Sequence, residues 1–331
     1  MDIGFLLQQP FAQHALLAAA LVAVSCGLIG PLVVTRGMAF AVHGTAELAF
    51  TGAAAGLLVA NNPVVGALVG AIVVAGLIAL FGAGQRDRDS AIGVILAFGM
   101  GIGVLLLGFY HGFATAATNI LFGDIFGVSG DQLIVLLVIG VIAAAVMGIW
   151  YRPLLFASVD PETAEARGVP VGRLGLLFLI VLALTVTGAA QVVGTLLVLS
   201  LAITPAAAAQ RLSASPLTVA GLSILFAVAA ADGGLLASFQ SNVKASVFIT
   251  SFSFAIYVAA RLIGPLLRDY RRRQGHPDHQ QASEAEASTL ATADQDQSRM
   301  LPAAGRPDWH RRPVSHAART GAGPRPSRPC R

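Results

Sequence analysis

Long apolar runs alternate with short polar links along most of this chain, and that alternation leaves few folds open. The runs cover residues 15–35, 46–60, 64–84, 91–110, 132–150, 174–187, 191–209, 217–236 and 245–267. A helix needs about 20 apolar residues to cross a bilayer. In hydrocarbon it must also satisfy its own backbone hydrogen bonds, which a helix does without a partner. Only 11% of the 331 residues are charged and 56% are hydrophobic, where a soluble domain carries roughly a quarter charged residues. The expectation is an all-α polytopic membrane protein with about nine transmembrane helices. The many runs exclude a single cleaved leader as their explanation.

The run at 46–60 is short for a crossing, so either residues 42–45 extend it or it is tilted, broken or re-entrant. Gly30-Pro31 is expected to bend the first span, because proline removes a backbone donor. Asn61-Asn62-Pro63 reads as a turn. Tyr151-Arg152-Pro153 is expected to close the fifth span, Gly188-Ala189-Ala190 to reverse or break the chain between the sixth and seventh, and Asp232-Gly233-Gly234 to interrupt the eighth. From residue 274 onward the apolar periodicity stops. Residues 1–273 therefore read as one membrane domain, and residues 274–331 as a disordered, cytosolic polar tail. His276, His279, His310 and His316 in that tail show no recurring ligand spacing and read as solvated side chains.

Charge placement suggests an orientation. With the Arg271–Arg273 cluster in the cytosol and nine spans alternating backwards, Arg36, Arg86, Arg88, Arg152, Arg167, Arg173 and Arg211 all fall inside, and only Lys244 falls outside. This positive-inside pattern implies N-terminus out and C-terminus in. It also disposes of nucleic acid as the reason for the net charge of +4, because no basic stripe lies on a soluble domain.

Several chemistries are excluded. Lys244 is the chain's sole lysine and follows no Gly-rich turn, so no P-loop exists to hold ATP. There is neither a Gly-x-Ser-x-Gly elbow nor a His-Glu-x-x-His helix, which leaves an enzyme reading unsupported. Cys26 and Cys330 form no metal or disulfide pattern.

Two constellations remain. His43 and Glu47 stand four residues apart among small and apolar neighbours. On a helix that spacing puts an imidazole and a carboxylate on one face, a pair able to grip a divalent metal. Ionisable groups in or beside lipid are costly, which marks the pair as functional. The bland alternative is that His43 bonds a backbone carbonyl and Glu47 pairs with it. The second constellation is Asp160-Pro161-Glu162-Thr163-Ala164-Glu165-Ala166-Arg167-Gly168. Asp160 suits an N-cap, Pro161 the first helical position and Gly168 the stop, which predicts a short helix on the longest cytosolic link. Asp124, Asp131 and Asp232 are expected on the outer side, where capping is the simplest role for the first two and capping or bending for the third.

In order and spacing, several segments resemble the permease subunits of ATP-binding-cassette importers for zinc, manganese and iron. They are Arg36-Gly37-Met38 through Gly52, Asp89-Ser90-Ala91-Ile92-Gly93, Leu121-Phe122-Gly123-Asp124-Ile125 with Val128-Ser129 and Asp131, and Leu182–Val186, Val193–Val198 and Thr204-Pro205-Ala206-Ala207. The resemblance covers roughly residues 13–267. It implies a multi-pass protein of the cell membrane that moves a divalent metal ion inward and binds no cofactor of its own. ATP and Mg would sit on a separate cytoplasmic ATP-binding subunit, an extracellular or periplasmic metal-binding protein would deliver the ion, and a second permease copy would complete a homodimer. It also implies that Asp160, Glu162, Ala164, Glu165 and Gly168 form the loop that docks on the ATPase.

Two departures stand out. The family usually has Asp at position 43 and His at position 47, so the two ligand types are exchanged here. It tends to have Asp, Pro and Gly where this chain has Asn242, Lys244 and Ser246. The competing functions are a permease for an iron chelate or cobalamin, which would not need the His43–Glu47 pair, and an ion-coupled secondary transporter, which should show an internal repeat and more intramembrane charges.

Overall fold

A computed structural model describes residues 8–81, 85–109, 123, 125–241 and 243–274. It contains α1 (Pro10–Thr35), α2 (Ala39–Ala60), α3 (Pro63–Phe81), α4 (Gln85–Gly108), α5 (Gly130–Val159), α6 (Pro161–Ala166), α7 (Val171–Val193), α8 (Thr195–Leu212), α9 (Pro216–Phe239) and α10 (Ala245–Gln274). The chain divides into two compact units, Met1–Tyr270 and Arg271–Arg331. The predicted tail lies outside the described residues, as do Asp124 and Asn242.

Among the described residues, eight helices are long and apolar enough to span a bilayer, and Leu197–Leu212 within α8 is apolar but shorter. Each predicted span therefore has its helix. α1 and α7 are the most enclosed, and Ile29, Leu32, Phe178 and Leu182 among them are fully buried. The outer helices present apolar groups to their surroundings, including Val94 and Phe98 of α4 and Ile149 of α5. That inversion of the soluble pattern is what a hydrocarbon solvent permits.

Several expected breaks are absent. α5 continues through Pro153 as far as Val159, and α1, where a bend is expected, is helical through Pro31. α9 runs unbroken past Asp232, so this acid neither caps nor interrupts it. α7 continues through Gly188, and the chain breaks instead at Gly194, where φ is +90°. Packing along a long helix outweighs the local preference of one glycine or proline. Asp131 is not the cap of α5. Ser129 is, in a capping box with Gln132 (3.3 and 3.0 Å), and Asp131 sits in the first turn, where the helix dipole favours an acid.

The α1–α2 connection fixes the position of everything that follows. Met38 N–H donates to the Val33 carbonyl (2.9 Å) and Gly37 N–H to that of Val34 (3.2 Å), the paired bonds of a Schellman motif. Gly37 supplies the left-handed φ of +64°, and Met38 tucks its side chain into the core. α2 then starts at Ala39, so residues 42–45 belong to it and no re-entrant break occurs.

Candidate metal centre

α2 reaches its place by backbone contact. A β-carbon on Gly52 would lie 2.6 Å from the Gly66 carbonyl oxygen, and one on Gly56 would lie 2.6 Å from the Gly66 α-carbon. This face of α2 therefore sits directly on α3, as small residues allow in lipid. A second face meets α4. Thr51 Oγ1 donates to the Gly99 carbonyl (2.7 Å), Leu48 packs on Gly99, and Gly44 lies against Ile92.

His43 and Glu47 occupy neither face. At 3.6 residues per turn they fall on the arc next to the α4 face and away from α3. α7 and α8 also pack against α2, and Ala46 and Ala54 of α2 are buried. Glu47 is only 9% exposed, and among the described residues it makes no hydrogen bond or ion pair. The Nδ1 of His43 is buried without a hydrogen-bond partner, and its ring lies 6.3 Å from that of Phe40. Neither the carbonyl bond nor the His–Glu pairing of the bland alternative is formed among the described residues. An imidazole nitrogen and a carboxylate are thus held on one helix face with their ligand capacity unspent. No cluster of three or more His, Cys, Asp or Glu occurs among the described residues, so a bound ion would draw further ligands from elsewhere.

The second constellation folds as a capped helix. Asp160 Oδ1 accepts from Thr163 N–H (3.0 Å), and the hydrogen bonds from Thr163 hold the Asp160 carboxyl below its ordinary range. Pro161 opens α6. Gly168, at φ +81°, ends it in a second Schellman motif, with Val169 N–H on the Ala164 carbonyl (3.0 Å) and Gly168 N–H on that of Glu165 (2.9 Å). Ala164 is fully buried against the bundle, while Glu162 and Glu165 are exposed. His43 and Glu47 lie on one helix, and Asp160, Glu162, Ala164, Glu165 and Gly168 on and around another.

A contact that sequence reasoning missed ties these regions together. Arg36 donates from Nε to Ser158 Oγ (2.6 Å) and from its guanidinium to the Leu154 carbonyl (3.3 Å), and its Cζ lies 4.6 Å from the centre of the Phe178 ring. Read as a sequence, Arg36 is a charge at a span end and the start of a segment that resembles the family, with no partner named. Gln210 was also missed; its amide donates to the Pro31 carbonyl (3.1 Å) and to Thr35 Oγ1 (3.3 Å), joining α8 to the same end of α1.

A family model, that of the ABC 3 transport family, matches residues 8–264. The chain belongs to the ABC 3 transport family. It is 30% identical over 261 residues to a manganese transport system membrane protein of Halalkalibacterium halodurans, covering 78% of this chain and 89% of that protein. It is 26% identical over 245 residues to a high-affinity zinc uptake system membrane protein of Haemophilus influenzae, covering 74% and 94%. The solved structure of PsaBC from Streptococcus pneumoniae in complex with Fab superposes with a TM-score of 0.73 at 28% identity, over 82% of this chain and 98% of that one. This member of the ABC 3 transport family is therefore a multi-pass permease subunit of the cell membrane, as the sequence motifs implied.

Proposed function

We propose that this permease admits a divalent metal ion, manganese or zinc and by the same ligand chemistry iron, to the cytoplasm, and that a separate ATPase subunit drives the passage. The observation that carries the reading is the His43–Glu47 face of α2, with Glu47 buried and the Nδ1 of half-buried His43 unpartnered, in a chain whose relatives are named for manganese and zinc transport. An imidazole and a carboxylate suit all three ions. Two protein ligands hold such an ion loosely, which favours transit over storage.

Arg36, α6 and the end of α8 gather at one end of the bundle through the Arg36–Ser158 and Gln210–Pro31 bonds. Gly264 of α10 lies against Arg211 at that same end. This grouping supports a cytosolic assignment for that end, with the N-terminus out and the C-terminus in. His43 then lies near the exit. α6, capped at both ends and seated by Ala164, is the element that meets the ATPase, which carries ATP and Mg. A binding protein delivers the ion to the opposite end, and a second copy of this chain completes the pathway.

The test is uptake of radiolabelled manganese and zinc into proteoliposomes holding this chain with its ATPase and binding protein. ATP-dependent uptake that falls in Glu47→Gln is the expected result. An assembled complex that hydrolyses ATP but takes up neither metal would overturn manganese and zinc as cargo, and would leave iron or an iron chelate in their place.

A further inference from the structure

α6 touches the bundle through α5 and α7. A force applied to α6 must therefore enter through one or both of these helices. Neither carries His43 or Glu47. α7 also packs directly on α2, and Arg36 adds a side-chain link from both α5 and α7 to the turn that leads into α2. It holds Ser158 and Leu154 in the last turns of α5, immediately before the Asp160 cap of α6. It also stacks on Phe178, which is fully buried in the first half of α7. Arg36 is itself the C-cap of α1, and the Schellman turn at Gly37 leaves no slack before α2 begins at Ala39. His43 follows seven positions after Arg36.

We propose that Arg36 is the positioning residue that transmits displacement of α6 to α2, and so to the metal pair. A planar guanidinium is suited to this because it bonds in its plane and stacks on its face at once, which an ammonium cannot do. The contact is half-buried, so water competes poorly for it. Ser158 also donates to the Leu154 carbonyl, which fixes the hydroxyl that Arg36 grips. Movement of the α5 end thus pulls on Arg36 directly. Movement of α7 reaches it through the ring of Phe178.

This inference rests on the reading of α6 as the ATPase contact. Its test uses the assembled complex, with ATP hydrolysis and metal uptake measured in the same proteoliposomes. In Arg36→Gln, ATP hydrolysed per ion taken up should rise about 5-fold or more, the lower end of measured coupling between sites. Arg36→Lys should give a smaller rise, and Ser158→Ala, which spares the charge, a smaller one still. Spin labels on Glu165 of α6 and Val59 of α2 give a cargo-independent readout. Their nucleotide-driven distance change should be present in the parent complex and lost in Arg36→Gln. A parent complex that shows this change but no manganese or zinc uptake would count against the cargo alone. Should Arg36→Gln fail to assemble, Arg36→Lys and Ser158→Ala decide the matter. An unchanged ATP-to-ion ratio in assembled variants, or an undiminished distance change, would overturn the role of Arg36.

Discussion

Gly123 stands on the helix break at Gly194. A β-carbon at 123 would lie 2.4 Å from the Gly194 nitrogen and 2.7 Å from the Val192 carbonyl oxygen. Both residues have left-handed backbones, φ +71° and +90°. α7 and α8 therefore separate where another strand of backbone is wedged against them, and not at Gly188. Gly123→Ala is expected to lower stability through the clash and through the left-handed penalty of about 1–2 kcal/mol for a residue with a β-carbon. Thermal unfolding of the purified protein in detergent checks this, with Gly130→Ala, whose added carbon would meet nothing within 4 Å, as the unaffected control.

The α2–α3 contact makes a sharper prediction. A β-carbon on Gly66 would lie 2.4 Å from the Gly52 carbonyl oxygen and 2.5 Å from the Gly56 α-carbon. Backbone cannot yield as a side chain can, so Gly66→Val must push the helices apart. The expected outcome is loss of folded protein, or folded protein without metal uptake because α2 has moved. Gly76→Ala on the same helix meets nothing within 4 Å and should be neutral or stabilising by up to about 1 kcal/mol. Comparing monodisperse yield and melting temperature of the two variants tests the relationship.

The Asp160 cap makes α6 sensitive to acid. Hydrogen bonds from Thr163 depress its folded pKa. A depressed carboxyl stabilises the fold above its unfolded pKa, near 4, and loses that contribution as pH falls through the lower folded value. Asp160→Ala should fray α6 at neutral pH, seen as faster amide exchange over 161–166, whereas Asp160→Ser should keep the cap. The parent should approach the alanine variant only in acid.

The sequence shows some of this directly and hides the rest for physical reasons. Span positions are legible because hydrocarbon demands about 20 apolar residues wherever a helix crosses. α6 is legible because Asp160, Pro161 and Gly168 act locally, within one turn of their own positions. The reversal at Gly188 and the interruption at Asp232 were misplaced because a glycine marks where a chain can bend, while the decision belongs to what packs on it. Gly123, seventy-one residues before Gly194, made that decision for α7 and α8. The pairing of Arg36 with Ser158 spans 122 positions, and no local pattern announces it.

His43 and Glu47 carry the last prediction. Even outer partners of a metal ligand are worth about 10–100-fold in affinity, so Glu47→Gln and His43→Gln should each lower uptake ~10-fold or more. If both residues hold one ion, the double variant should lose far less than the product of the two single losses, because the first change already empties the site. Independent structural roles would give multiplicative losses. Ligand type adds a second axis. Imidazole suits zinc, and carboxylate suits manganese. His43→Asp alone leaves two carboxylates and should lower zinc uptake relative to manganese. His43→Asp with Glu47→His restores one ligand of each kind in exchanged positions, and should recover zinc uptake. Competition between the two ions in proteoliposomes reads the ratio, and a ratio unmoved by His43→Asp would mean that this pair does not choose the cargo.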